Sequence, residues 1–307
     1  MPAFTNSIAF VVPTKDRPHD LRRMLTSVQD QSVHPDQIVI VDGSTNPVAD
    51  VVSEFPDLKI EYVRCYPPSL SKQRNAGMAA IAPGVTLAGY LDDDLVIEPC
   101  ALKAMLAFWE KAPADVGGAR FTIVNDDLPR MMWLKSLFFM EGKTRGEVLR
   151  SGYATAIGRA TEDRYVRWLS GGVTLWRIKV IQEFSYDEWF NGTGYLEDVD
   201  YSYRVGRKYK LVVLANAQVQ HLSYPVRTDK NYLLGKWQAV NRMYFVKKHG
   251  DFSVPLCYWS MLGEIFLNIV TGIWRWDVGR LRRGMGNCAG LYMVARGRIQ
   301  RIGGGFK

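Results

Sequence analysis

Tyr90-Leu91-Asp92-Asp93-Asp94-Leu95 sets three adjacent carboxylates at the end of an apolar segment, Val85 to Leu91, that reads as a buried strand. Neighbouring negative charges repel one another, and a divalent cation bound through oxygen is the most economical reason to hold three of them together. A strand end is also the right address, because open α/β sheets bind ligands outside the carboxyl ends of their strands. The competing reading is a solvated acidic turn that caps a helix starting near Pro99. Strand alternation would put Asp92 and Asp94 on one face, with Asp93 between them.

Working outward, Ile8 to Val12 is an apolar run that predicts a buried first strand, ended by Pro13. Thr14-Lys15-Asp16-Arg17-Pro18 and a helix from about Asp20 to Gln31 follow it. No GxGxxG follows that strand and no GxxxxGK[ST] occurs in the chain, so the dinucleotide-binding and P-loop readings lose their main support. Gln37 to Val41 predicts a second strand that delivers Asp42 into the turn Asp42-Gly43-Ser44-Thr45, and Ile60 to Val63 predicts a third. Ser71-Lys72-Gln73-Arg74-Asn75-Ala76-Gly77 opens a helix leading to the acidic strand. Strands and helices alternating at this spacing predict an α/β fold with a mostly parallel sheet covered by helices on both faces.

The whole chain sets bounds on this reading. Its 307 residues, 47% hydrophobic and 23% charged, suit one large α/β domain with an appendage, or two small domains, and argue against disorder. Cys65, Cys100, Cys257 and Cys288 are widely spaced, with no CxxC pair, so no disulfide framework or zinc site is expected and a reducing cytoplasm fits. The apolar run Ile8 to Val12 is too short, and lacks the basic flank, for a signal peptide. The net charge of +8 is uneven: from Arg275 onward there are eight cations against the single acid Asp277. Such a tail attracts anionic lipid or nucleic acid.

Taken together, VVPTKDRP, IVIVDGST, SKQRNAG and YLDDDLV, in that order and at that spacing, resemble the nucleotide-binding half of the family 2 glycosyltransferases, which have the GT-A fold. The likeness continues through Trp168-Leu169-Ser170-Gly171-Gly172-Val173, Gly194-Tyr195-Leu196-Glu197-Asp198-Val199-Asp200 and Val219-Gln220-His221, covering roughly residues 7 to 250.

The resemblance implies that Asp42 and the loop Pro13-Thr14 hold the nucleobase and that Arg74 approaches the nucleotide, with Ser44 and Arg17 also on the donor side and Asp92 or Asp93 meeting the ribose or a metal-bound water. A carboxylate at a strand end can accept from a base N–H, and a guanidinium forks onto phosphate oxygens. Taken alone, Asp42 also reads as a turn-former and Arg74 as a surface helix cation. The family's D-x-D pattern maps onto Asp92 and Asp94, which implies Asp94 as metal ligand, Asp92 as its partner and Asp93 on the donor side. Mg2+ and Mn2+ both accept such ligands. His221 is implied as a further metal ligand, though a lone His is commonly structural.

The resemblance also implies that Asp198 is the general base of an inverting transfer, with Glu197, Gly171, Gly172 and Trp168 meeting the acceptor. Acids in a first helical turn are also favoured by the helix dipole alone, and Gly171-Gly172 also reads as a simple turn. Met131, Met132, Trp133, Leu137, Phe138 and Phe139 fall in no motif; that patch could be core, acceptor site or membrane contact.

Residues 229–307 are expected to form an appendage to a catalytic domain of residues 1–228. Pro255 to Trp276 is the most apolar stretch, with Ser260, Glu264, Asn268, Thr271 and Arg275 drawing a polar stripe at helical spacing. That stripe favours a helix lying in a membrane interface, or packed on the domain, over one crossing lipid; a soluble dimer interface is the competing reading. The expectation is therefore a metal-dependent, inverting glycosyltransferase. It takes a hexosyl group from a nucleotide-diphosphate sugar to a cell-envelope or lipid-linked glycan acceptor. Its expected place is the inner face of the cell membrane, without nucleic acid and with homo-oligomers open. A sugar nucleotidyltransferase and a non-catalytic nucleotide-sugar-binding scaffold are the alternatives.

Overall fold

Every position from Ile8 to Val12 is apolar, and the computed structural model buries the whole of β1 (Ile8–Thr14). It describes residues 4–126, 131–191, 194–222 and 226–299. Arg301 and Lys307, two of the eight cations counted from Arg275 onward, lie outside the described residues. In chain order β1 is followed by α1 (Pro18–Gln29), β2 (Gln37–Asp42), α2 (Ala49–Val52), β3 (Ile60–Arg64) and α3 (Leu70–Ala79). Next come β4 (Leu87–Leu91), β5 (Leu95–Ile97), α4 (Ala101–Trp109), β6 (Val116–Ile123) and α5 (Met132–Leu137). The chain goes on through β7 (Arg164–Val166), β8 (Val173–Arg177), α6 (Ile178–Glu183), α7 (Glu197–Gly206) and β9 (Lys210–His221). It closes with α8 (Asn231–His249), α9 (Val254–Trp274) and α10 (Val278–Ala295).

The chain forms two compact units. Met1–Asp127, Ile157–Glu188 and Glu197–Ser223 make the first; Leu128–Ala156, Trp189–Leu196 and Tyr224–Lys307 make the second.

In the first unit the described strands join one nine-stranded sheet, ordered β3-β2-β1-β4-β8-β6-β9-β5, with β7 also on β9. The expected parallel pairing holds for β3-β2-β1-β4, where helical crossovers return each strand in the same direction. Beyond β4 the sheet is mixed: β8 enters antiparallel between β4 and β6, and β5 and β7 also pair antiparallel. Successive residues of β1 feed opposite cores. Phe10 and Val12 pack with Leu21, Met24, Leu25 and Val28 of α1, a helical i, i+3, i+4, i+7 stripe, and with Leu102 and Met105 of α4. Val11 packs with Val180 of α6 and with Tyr201 and Val205 of α7. Helices therefore cover both faces, and the strand ends remain for chemistry.

The two short runs Leu211 to Leu214 and Ala217 to Gln220 are a single strand, β9. Its register on β6 jumps from Phe121↔Leu214 to Thr122↔Gln218, and the Thr122 hydroxyl donates to the Leu214 carbonyl at 2.7 Å across the irregularity. The prolonged strand then pairs with β5, setting His221 opposite Leu95.

In the second unit, α10 packs along α8 and α9. Asn268 of α9 donates to Asn287 Oδ1 of α10 at 2.9 Å, and Asn287 donates to the Gly235 carbonyl of α8 at 3.0 Å. Ser260, Glu264 and Asn268, read from sequence as a polar stripe, are buried here rather than turned to solvent.

Candidate active site

The acidic turn lies between β4 and β5, with Asp93 and Asp94 buried and Asp92 half-buried. It is pinned to the start of β8 by the Asp92 amide, which donates to the Gly172 carbonyl at 2.8 Å. Each acid has its own partner. Asp93 accepts from the Thr14 hydroxyl at 2.7 Å and from Arg17 Nη1 at 3.2 Å. Arg17 Nη1 also reaches Asp94 Oδ2 at 2.9 Å, and His221 Nε2 lies 3.1 Å from Asp94 Oδ1. Burial pushes the Asp93 carboxyl up to about 7 against the pull of Arg17 and Thr14. Burial works the same way on Asp94, but its contacts with His221 and Arg17 outweigh it and hold that carboxyl below the usual range. The bond to Asp94 raises the His221 imidazole, against the opposing effect of burial.

Asp92 has a different partner, Arg74. That guanidinium, 2% exposed, donates from Nη2 to Asp92 Oδ1 at 3.4 Å and from Nη1 to Glu197 Oε1 at 2.8 Å. It also lies over the rings of Tyr186 and Tyr90, 5.1 and 5.6 Å from their centroids. A buried cation thus joins the acidic turn to the first residue of α7. Asp198, next along α7, accepts from the Gly171 amide at 3.2 Å and from the Val199 amide at 2.8 Å. Loss of hydration pushes its carboxyl up, against the pull of Arg74.

Gly171 and Gly172 lie in the turn before β8, and neighbouring side chains add a constraint there. A Cβ on Gly172 would lie 1.8 Å from Asp92 Oδ2, and one on Gly171 would lie 2.3 Å from Arg74 Nη1. Trp168 packs, half-buried, against the hydrophobic cluster below.

Asp42 ends β2 fully buried, with its carboxylate bonded inside the protein. Oδ1 accepts from the Ser44 amide at 2.7 Å; Oδ2 accepts from the Val48 amide at 2.9 Å, Tyr62 Oη at 2.5 Å and Arg64 Nη1 at 2.7 Å. Ser44 Oγ in turn accepts from the Asp16 amide at 2.7 Å, which ties the loop after β1 to the loop after β2. Pro13 and Thr14 pair with Val41 and Asp42 in the sheet.

Sequence reasoning missed several members of this cluster. Tyr62 and Arg64 lie on β3, with Arg64 in register with Asp42, so a polar residue at the third strand end was the available signal. Arg120, 2% exposed, donates from Nε to Ser170 Oγ at 2.7 Å and from Nη2 to Asp126 at 3.3 Å, bracing the segment that leads into Gly171. An Arg inside an apolar strand is its only mark in the sequence. Asn125 donates to the His221 carbonyl at 2.8 Å and accepts from its amide at 3.0 Å.

Among the described residues no group of three or more His, Cys, Asp or Glu side chains is drawn together as a metal cage. The donor chemistry nonetheless fits a hard divalent cation: Asp94 Oδ1 and His221 Nε2 converge, and Asp92 stands two residues from Asp94 in the same turn.

The sequence model of the family described as "Glycosyl transferase family 2" matches residues 9–167, just over half of the chain. The chain belongs to that family. The match takes in Asp42, Arg74 and the acidic turn of this family 2 glycosyltransferase, and ends before Glu197, Asp198 and His221. Its fold is GT-A, shared with solved glycosyltransferases. The S. aureus TarS 1-349 crystal structure aligns over 95% of this chain and 92% of its own, with a TM-score of 0.51 and 14% identity. The mannosyltransferase PcManGT from Pyrobaculum calidifontis, solved in complex with GDP-Man and Mn2+, aligns over 97% and 89%, with a TM-score of 0.58 and 13% identity. At such identities the likeness speaks for the fold. No curated protein sequence matches the transferase.

Proposed function

We propose that this glycosyltransferase is metal-dependent and inverting, and moves a hexosyl group from a nucleoside-diphosphate sugar to a hydroxyl of a lipid-linked or cell-envelope glycan. One observation carries the reading: Arg74 bonds Asp92 of the acidic turn and Glu197 of α7 at once, while the Gly171-Gly172 turn bonds both Asp198 and Asp92. Groups suited to a diphosphate and a group suited to a proton are thereby held in one rigid cluster.

In this reading the loops after β1 and β2, with Pro13, Thr14, Arg17, Asp42 and Ser44, receive the nucleoside. Asp42 acts by fixing those loops, since its own oxygens are engaged with Ser44, Val48, Tyr62 and Arg64. Asp94, His221 and Asp92 would hold Mn2+ or Mg2+, which when bound supplies Lewis acidity to the diphosphate leaving group. Asp198 takes the acceptor proton as the hydroxyl attacks the anomeric carbon from the face opposite the diphosphate, so the configuration inverts. The Gly171 amide aims the Asp198 carboxylate, and Glu197 and Trp168 help to seat the acceptor. PcManGT, a fold neighbour, is a mannosyltransferase solved with GDP-Man and Mn2+, which supports the choice of donor class and cation. The basic tail supports work at the inner face of the cell membrane, with catalysis in the first unit.

The test is a screen of nucleotide sugars with Mn2+, read by thermal shift, because a ligand that binds only the folded state raises its stability. A donor that stabilises the chain only with the cation supports the reading. Stabilisation by nucleoside triphosphate and release of pyrophosphate would replace it with nucleotidyl transfer.

A further inference from the structure

In the second unit, α9 buries polar side chains alongside Cys257, Met261 and Leu267 and exposes most of its large apolar ones. Helix α9 buries Ser260, Glu264 and Asn268, and exposes Trp259, Leu262, Phe266, Ile269, Ile273 and Trp274. Among the described residues it is the one helix long and apolar enough to cross a membrane, with a mean hydropathy of 1.4 over its most apolar window. A helix packed on a water-soluble protein does the reverse, turning its apolar stripe inward. The inner side is built from polar bonds and bare backbone. Asn287 donates to Gln238 Oε1 at 3.0 Å, the Tyr153 hydroxyl donates to Glu264, and a Cβ on Gly286 would lie 2.0 Å from the Tyr232 carbonyl oxygen. Small residues that let helices touch, with polar groups satisfied between them, are how helices associate where the surroundings are apolar.

The apolar face continues onto the α5 segment. The Phe138 ring packs against Trp259 and Phe266 at 5.1 and 5.9 Å, and Trp259 Nε1 donates to the Leu137 carbonyl at 3.0 Å. Trp133 beside them is 73% exposed. At the end of α9 the face meets positive charge: Arg275 lies over the Trp274 ring at 5.6 Å, Trp276 is 92% exposed, and Arg280 and Arg282 follow within the first turns of α10, whereas Arg283 turns inward to Asn231. Aromatic rings with arginines at the edge of an apolar face match the boundary between acyl chains and anionic headgroups.

We infer that the outer face of α9, with the Trp133–Phe139 segment, is immersed in the surface of an anionic phospholipid bilayer. The helix lies along the membrane plane and the arginines at its end contact lipid phosphates. Spanning is disfavoured, because α8 and α10 pack on α9 and bring Lys236, Arg242, Lys247 and Lys248 of α8 and the arginines at the start of α10 with it, charges costly at the centre of a bilayer. This names the surface behind the membrane location in the proposed function, and its test uses neither donor nor acceptor, so it can fail while glycosyl transfer stands.

The experiment is flotation of the full chain with phosphatidylcholine vesicles, with and without phosphatidylglycerol. A neutral pair of substitutions, Leu262→Ser with Phe266→Ser, lies at exposed positions and leaves the inner polar bonds in place. The wild-type chain should float with the anionic vesicles, less so as salt is raised, and the paired variant should partition about tenfold less or weaker still. A second readout is quenching of tryptophan fluorescence by bromine-labelled lipid, expected to diminish in Trp259→Phe with Trp274→Phe. Equal flotation of wild type and the Ser variant would overturn the inference. So would a wild-type chain that ignores vesicles and sediments as a dimer which the same substitutions dissociate, since the face would then belong to a second copy.

Discussion

Arg74 Nη1 donates to Glu197 Oε1 at 2.8 Å across 123 residues of sequence, and both side chains are buried. A buried ion pair is no measure of net stability, because desolvation offsets most of the attraction. Breaking it from one side is a different matter, since a charge is then left without a partner.

Arg74→Met should therefore destabilise the chain by about 3–5 kcal/mol, as removal of one partner of a buried pair does. Joint replacement with Glu197→Leu should recover part of that loss. Denaturant unfolding of the two single variants and the double variant checks this; a single-variant loss below about 1 kcal/mol would place the pair among weak surface contacts.

Tyr62→Phe removes one donor from Asp42, whose carboxylate is fully buried. The expected cost is about 1–2 kcal/mol, because an acceptor loses a partner it cannot replace with water. Donor affinity should fall as well, since the loops after β1 and β2 are tied together through Ser44 and Asp42. Unfolding curves and donor titration of the same preparation separate the two effects, and unchanged values in both would remove Tyr62 from the site.

Gly172→Ala places a methyl group where Asp92 Oδ2 now lies. The Asp92 carboxylate must move, so metal-dependent turnover should drop by about tenfold or more while the sheet remains folded, because misplacing a reacting group by an ångström can cost up to a hundredfold. Retained circular dichroism with lost turnover is the expected pair of results; wild-type turnover would show that the turn tolerates displacement.

The pH dependence follows from Asp198. Desolvation raises its carboxyl, and a base must be unprotonated to act, so activity is present above the raised value and is lost as pH falls through it. The acid limb of kcat/KM should therefore lie above the ordinary aspartate value of about 3.9. A profile that stays flat down to that value would assign the proton transfer to another group.

Much of this architecture can be read directly from residues. Apolar runs gave β1, β2 and β4, and the i, i+3, i+4, i+7 stripe of α1 was visible in Leu21, Met24, Leu25 and Val28. The acidic turn at the end of β4 was legible because three carboxylates have no local reason to adjoin. What stayed hidden depends on partners distant in sequence. Nothing near Arg74 announces that Glu197 will neutralise it, and nothing in β8 announces that it will pair antiparallel beside β4. The irregular register that carries β9 on to His221 is likewise set by β6 and β5 rather than by its own residues. In α9 the period of Ser260, Glu264 and Asn268 was plain, but the direction it faces is decided by Asn287 and Tyr153 on other segments.

The most direct test of the single site formed by the acidic turn and α7 compares Asp94→Ala with Asp198→Asn in one experiment. Calorimetric titration of nucleotide sugar with Mn2+ is run beside an assay of released nucleoside diphosphate. The account predicts that Asp94→Ala loses cation-dependent donor binding and transfer together, whereas Asp198→Asn binds donor like the wild type and loses transfer by about 100-fold or more. Transfer by Asp198→Asn at the wild-type rate, or undiminished cation-dependent binding by Asp94→Ala, would contradict it.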